Sequence, residues 1–135
     1  MKSIEVLLVE DSAGDVLLMK QALAEEPVPI NIHVALDGKQ AVEMLSQGLF
    51  TPSVIVLDLD LPKLSGLGFL EWYRADVPLV VFSSSSKPED RGRALQLGAR
   101  EYVQKPTDPT EYRRLLSQIV RNWGTPPPVG AIAGT

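Results

Sequence analysis

Val54-Ile55-Val56-Leu57-Asp58-Leu59-Asp60-Leu61-Pro62 is the stretch that decides the fold. Four consecutive apolar residues, three of them β-branched, suit a strand and are too few for a helix. Nothing polar alternates among them, so both faces of the strand are buried. That is the pattern of a parallel sheet held between helices. The run then stops on two carboxylates and a proline. In open sheets of this type ligands bind beyond the carboxyl ends of the strands, so Asp58 and Asp60 stand where chemistry is to be sought.

Outward from this strand the chain alternates two periodicities. Ile4 to Val9 reads as a first strand, and Asp11-Ser12-Ala13-Gly14-Asp15 offers capping chemistry before a helix over Val16 to Glu25. Pro27 and Pro29 end that helix, and Ile30 to Val34 reads as a second strand. Asp37-Gly38 opens a second helix with Ala41, Val42 and Leu45 on one face and Gly48 just past its end. After the Asp58 strand come a helix over Gly66 to Arg74 and a strand over Leu79 to Phe82. Ser86-Lys87-Pro88-Glu89 fits a capping box for a fourth helix that closes near Gly98. A short strand follows over Glu101 to Gln104. Asp108-Pro109 then caps a last helix, which runs to about Trp123. Five strands alternating with five helices predict an α/β fold, a doubly wound five-stranded parallel sheet with helices on both faces. The expected organisation is one domain over residues 1–124 and a flexible Pro/Gly tail over residues 125–135.

Composition removes several classes. The 135 residues include no cysteine, which excludes disulfides, thiolate zinc sites and a cysteine nucleophile. His33 is the only histidine, so a multi-histidine metal site is excluded, and its place in the second strand marks it as an ordinary strand residue. No apolar run approaches the ~18 residues of a membrane span, and the expected location is the cytoplasm. The net charge of −4 argues against general nucleic-acid binding. The charge is uneven: residues 1–70 hold ten acids and four bases, whereas residues 71–135 hold seven acids and nine bases.

Four strand ends carry unusual side chains: Glu10-Asp11, Asp58 with Asp60, Ser83-Ser84-Ser85-Ser86, and Lys105-Pro106. In a doubly wound sheet these ends converge on one crevice. Any one acid after a strand is an ordinary cap or turn residue. Several together repel, and their pKa values rise without a counter-ion. A divalent cation resolves the conflict. Magnesium takes oxygen ligands, needs only one or two carboxylates and shares its remaining positions with water and phosphate.

Leu7-Leu8-Val9-Glu10-Asp11, the Val54–Pro62 stretch, Gly66, Val80-Val81-Phe82-Ser83, Gly98-Ala99 and Tyr102-Val103-Gln104-Lys105-Pro106 come in the order and spacing of a known family. Over residues 3 to about 122 the chain resembles the receiver domain of bacterial response regulators, with its flavodoxin-like, CheY-like fold. Glu10-Asp11-Ser12-Ala13-Gly14-Asp15-Val16 resembles more narrowly the single-domain regulators that partner phytochromes. The resemblance implies a two-component phosphorelay protein whose phosphoacceptor is Asp58. It implies Mg2+ held by Asp11, by Asp58 and by the backbone carbonyl of Asp60, with Glu10 acting through water. Lys105 would pair with Asp58 and then with the phosphoryl group, and the bond to Pro106 would be cis. Ser83 would move towards the phosphoryl group, and Tyr102 would turn inward behind it as the switch. The output surface would comprise the fourth helix, the fifth strand and the fifth helix, with Trp123 marking a homodimer contact. The expected partners are a sensor histidine kinase, such as a phytochrome kinase, and a downstream protein, with neither nucleic acid nor membrane. With no effector module expected after Trp123, the chain would be a switch and not a turnover enzyme.

Two other readings stand beside this one. The Asp58-Leu59-Asp60 pattern also resembles the first motif of haloacid-dehalogenase-type phosphatases, in which Asp58 would be the nucleophile and Asp60 a general acid. A receiver-like interaction module that is never phosphorylated is the other.

Overall fold

The structure is a computed structural model that describes residues 3–73 and 77–124; the expected tail, residues 125–135, lies outside them. The strands are β1 (Ile4–Val9), β2 (Ile30–Ala35), β3 (Val54–Leu57), β4 (Leu79–Ser83) and β5 (Glu101–Gln104). The helices are α1 (Ala13–Ala24), α2 (Gly38–Gln47), α3 (Gly66–Trp72), α4 (Pro88–Gln96) and α5 (Pro109–Gly124). The sheet runs β2-β1-β3-β4-β5, parallel at every pairing. β3, the strand from which the fold is read, lies at its centre.

Side chains alternate between two cores, as the period of two in a strand requires. Val6, Leu8, Val54, Val56, Val80 and Phe82 point to one face and meet Met19, Leu23, Leu116 and Ile119 of α1 and α5. Leu7, Val9, Ile55, Leu57, Leu79 and Val81 point to the other and meet Ala41, Phe69, Leu70 and Ala94 of α2, α3 and α4. Continuous apolar strands thus follow from helices on both sides.

Most element ends match the sequence reading, and the exceptions have physical causes. α1 begins at Ala13, three residues before the expected start at Val16, because the Ser12 hydroxyl accepts from the Asp15 amide at 3.3 Å and caps the helix there. The expected Ser86 capping box is absent: Lys87 takes the N-cap position without a side-chain bond. Ser85 serves instead, its hydroxyl accepting from the Lys87 amide at 3.3 Å and donating to Asp90 at 2.6 Å. Asp37 and Asp108 cap α2 and α5 as read, each accepting an amide three residues on. α3 ends at Trp72, with Tyr73 extended behind it; Arg74 lies outside the described residues.

Candidate functional site

The sheet itself positions the site, because the parallel ladder continues one residue past the strands. The Glu10 amide donates to Ala35 O, the Asp58 amide to Val9 O and the Lys105 amide to Ser83 O, at 2.8–3.0 Å. Register therefore brings Glu10, Asp58, Ser83 and Lys105 to one edge. One oxygen each of Glu10, Asp11 and Asp58 falls within 4.8 Å of the others. Glu10, Asp58 and Ser83 are buried, whereas Asp11 and Asp60 are exposed. The Asp60 carboxylate stays outside the cluster of three. Gly66 allows α3 to start directly behind Asp58: a Cβ there would lie 2.5 Å from the Asp58 carbonyl oxygen.

Lys105 reaches into the acids with a side chain only 10% exposed. Its Nζ donates to Glu10 Oε1 at 2.6 Å and to Asp15 Oδ2, and stands 3.9 Å from Asp58 Oδ2. The expected pairing with Asp58 is thus the longest of three, and Lys105 is shared mainly between Glu10 and Asp15. Asp15 is the site residue that the sequence reading missed by treating it as cap chemistry. Its spacing of four from Asp11, about one helical turn, was the available signal. Nor is the Lys105–Pro106 bond cis as expected: no peptide among the described residues is cis. The two isomers of such a bond differ by only about 0.5–1 kcal/mol, so a sequence pattern does not fix the choice.

The electrostatics follow from burial. Burial pushes the Glu10 carboxyl up to about 7 against the opposing bonds from Lys105 and Ser12. Burial also raises Asp58, opposed by the Lys105 charge, the Ser83 hydroxyl and the Asp60 backbone. Burial alone would lower Lys105, but the bonds to Asp15 and Glu10 outweigh it and the net shift is upward. Both Glu10 oxygens are engaged, one by Lys105 and one by the Ser12 amide. Asp58 Oδ1, in contrast, is buried with no hydrogen-bond partner. An orphaned carboxylate oxygen beside two other acids fits a cation with oxygen ligands.

The two residues expected to act as the switch, Ser83 and Tyr102, sit close by. Tyr102 is buried, and its hydroxyl donates to Ser85 O at 2.7 Å, so the ring points inward. Ser83 Oγ accepts from the Ser85 amide at 3.4 Å. His33 lies away from this edge, stacked on Phe50 at 3.7 Å and bonded to Glu5 at 3.0 Å, which is an ordinary strand role. Trp123 is half-buried, and its indole N–H donates to Glu101 at 3.0 Å within the same chain.

Known proteins share this fold. Residues 6–117 match the response regulator receiver domain. The chain is 36% identical over 109 residues to protein-glutamate methylesterase/protein-glutamine glutaminase 1 of Myxococcus xanthus, covering 79% of this chain and 31% of that protein. It is 31% identical over 119 residues to the probable transcriptional regulator ycf27 of Guillardia theta, covering 87% and 45%. The chain thus spans 31–45% of the length of these relatives. The phosphorylated cyanobacterial phytochrome response regulator RcpA superposes with a TM-score of 0.86 at 29% identity, over 90% of this chain and 94% of that one. The Mn2+-bound response regulator Rcp1 gives a TM-score of 0.85 at 27% identity, over 93% and 99%. With β3 central, the acids at its end and the receiver match spanning both cores, the dehalogenase-type reading falls away, and the chain belongs to the response regulator receiver domain family.

Proposed function

We propose that this receiver domain accepts a phosphoryl group on Asp58 from a partner histidine kinase. The observation that carries this is Asp58 itself: a buried carboxylate at the end of the central strand, with one oxygen unpartnered and an ammonium 3.9 Å from the other. A carboxylate oxygen of Asp58 attacks phosphorus, forming an acyl phosphate as the bond to the donor atom breaks and the donor leaves with the electron pair. Aspartate is a weak nucleophile, so the site works by positioning and by neutralising charge.

Mg2+ would be held by Asp11, Asp58 and the Asp60 carbonyl, with Glu10 acting through water. Its chemistry there is charge neutralisation on the phosphoryl oxygens. That both Glu10 oxygens are already engaged supports its indirect role. Lys105 leaves Asp15 and follows the new charge, as a mobile ammonium can. Ser83 donates to a phosphoryl oxygen, and Tyr102, whose ring is already inward here, is held there by that movement as the change that α4 and β5 register. Asp58 is a stoichiometric acceptor, and the chain is not a turnover enzyme.

The likeness to the cyanobacterial phytochrome response regulator RcpA, at 29% identity, supports a phytochrome-type kinase as donor in the cytoplasm. No helix among the described residues is long and apolar enough to cross a membrane. The α4-β5-α5 face is the output surface and forms a homodimer; Leu95 on α4, 40% exposed, is its apolar contact.

Incubation with acetyl phosphate and Mg2+, followed by intact mass, tests the central claim. Wild type is expected to gain one phosphoryl group and Asp58→Asn none. A wild type that stays unmodified with several donors would establish the silent interaction module instead.

A further inference from the structure

Lys105 and Tyr112 stand at the two ends of one connection, Lys105-Pro106-Thr107-Asp108-Pro109-Thr110-Glu111-Tyr112. Its two prolines fix φ and stiffen it. The Lys105 amide is held on Ser83 O at 2.8 Å, and the Tyr112 amide on Asp108 O at 2.9 Å, so both side chains leave from fixed points. Both line a cavity of about 380 Å³, together with Asp15 from α1.

Two donors therefore meet one carboxylate, and one of them is idle. Lys105 Nζ bonds to Asp15 Oδ2. Tyr112 is only 4% exposed and its ring packs edge-on against Phe82 at 4.9 Å, yet its hydroxyl has no hydrogen-bond partner. A buried hydroxyl without a partner is rare and costs free energy. Burial first, and then the Asp15 charge, pushes the Tyr112 phenol up, so it keeps its proton and remains a donor. A phosphoryl group on Asp58 changes the balance, because it draws the mobile ammonium of Lys105 away from Asp15. The Asp15 side chain is only 26% exposed and would then lose its cation. A largely buried carboxylate stripped of its ammonium needs another donor. The Tyr112 hydroxyl supplies one from the same cavity.

We propose that Asp15 is a positioning residue, which holds Lys105 in the resting state and passes to the Tyr112 hydroxyl when Lys105 moves to the phosphoryl group. This exchange rests on the reading of Asp58 as the phosphoacceptor. Its first half sets the affinity of the site, because Asp15 and the phosphoryl group compete for one ammonium. Its second half carries the change out of the site, because the new bond is made by the first turn of α5.

The full chain is titrated with beryllofluoride, a mimic of the phosphoryl group, in the presence of Mg2+, and affinity is read by backbone amide NMR. Asp15→Asn is expected to bind the mimic about tenfold tighter, since a charge-assisted bond no longer competes for Lys105. Tyr112→Phe is expected to bind it about fivefold more weakly, and to make no difference once Asp15→Asn is present. With three tyrosines in the chain, fluorine NMR of 3-fluorotyrosine protein resolves each ring, and Tyr112→Phe assigns the signal. The Tyr112 signal is expected to shift on binding in wild type and to stay in place in Asp15→Asn. Asp15→Ala, which leaves no amide to bond, repeats both readings. A Tyr112 signal that shifts alike in wild type and Asp15→Asn would overturn the exchange. So would a Tyr112→Phe effect that is the same in both backgrounds, which is what a purely electrostatic role of Asp15 gives. A wild type that binds no beryllofluoride overturns the phosphoacceptor reading as well; one that binds it and fails either comparison overturns the exchange alone.

Discussion

Lys105 is the residue on which the charge of the site balances. Among the described residues it is the one ammonium that bonds to buried Glu10 and to Asp15, and it also faces Asp58. Removing one partner of a buried ionic group leaves the others uncompensated, which costs about 3–5 kcal/mol. Lys105→Met is therefore expected to lose stability of about that size in metal-free urea unfolding. Millimolar Mg2+ is expected to return part of it, and so is a second change, Asp58→Asn, because residues in one charged network couple non-additively. If the losses of the two single variants simply add, the cluster does not act as a unit. Asp58 was legible at this scale from the sequence, since an apolar run that stops on a carboxylate is visible without coordinates. Asp15 was not, because a carboxylate three positions after a capping serine has an adequate local explanation.

Two glycines separate tolerance from necessity at the scale of elements. Gly92 lies inside α4 with nothing within 4 Å of an added Cβ. Gly92→Ala is expected to stabilise the domain by about 0.5–1 kcal/mol, since glycine is the costlier helix residue. Gly66→Ala is expected to do the opposite and to slow phosphorylation, because its Cβ meets the Asp58 carbonyl at 2.5 Å. Paired thermal melts of the two variants check this; equal shifts, or a reversed ranking, would refute the packing argument. β1 and β2 are also tied by side chains, Glu5 accepting from Asn31 at 2.6 Å and facing His33 at 3.0 Å. These bonds, His33 foremost, hold the Glu5 carboxyl below its ordinary 4.5. A depressed folded pKa means that the pair stabilises the fold above about pH 4.5 and that this contribution is lost as pH falls through the folded value. Glu5→Gln is expected to be less stable than wild type near neutrality and to converge on it in acid. A gap that widens on acidification would reverse the sign of the argument.

For the whole molecule, the open question is association. Tyr112, Leu116, Ile119 and Val120 of α5 are buried against the sheet and α1, so only part of that helix is available to a partner. Trp123, read from sequence as a contact marker, is half-buried and donates its indole N–H to Glu101 of its own chain. Leu95 remains the large apolar side chain on α4 that faces outward. Size-exclusion with light scattering is expected to show a dimer that strengthens with a phosphoryl mimic and is abolished by Leu95→Lys. A single monomeric mass at high concentration, with and without the mimic, would remove the dimer.

By itself the sequence determined the architecture. Strand and helix periods, proline and glycine stops and caps at Asp37 and Asp108 are local, so the five β and five α segments could be read off one after another. It also determined which side chains stand at strand ends, because an end is a local event. What only the tertiary structure decided is which of those ends touch. Register places Glu10, Asp58 and Lys105 together and draws Asp15 in from α1. The same packing leaves Asp58 Oδ1 without a partner. Distances between residues 90 or more positions apart depend on how helices seat on a twisted sheet, and no local periodicity encodes them.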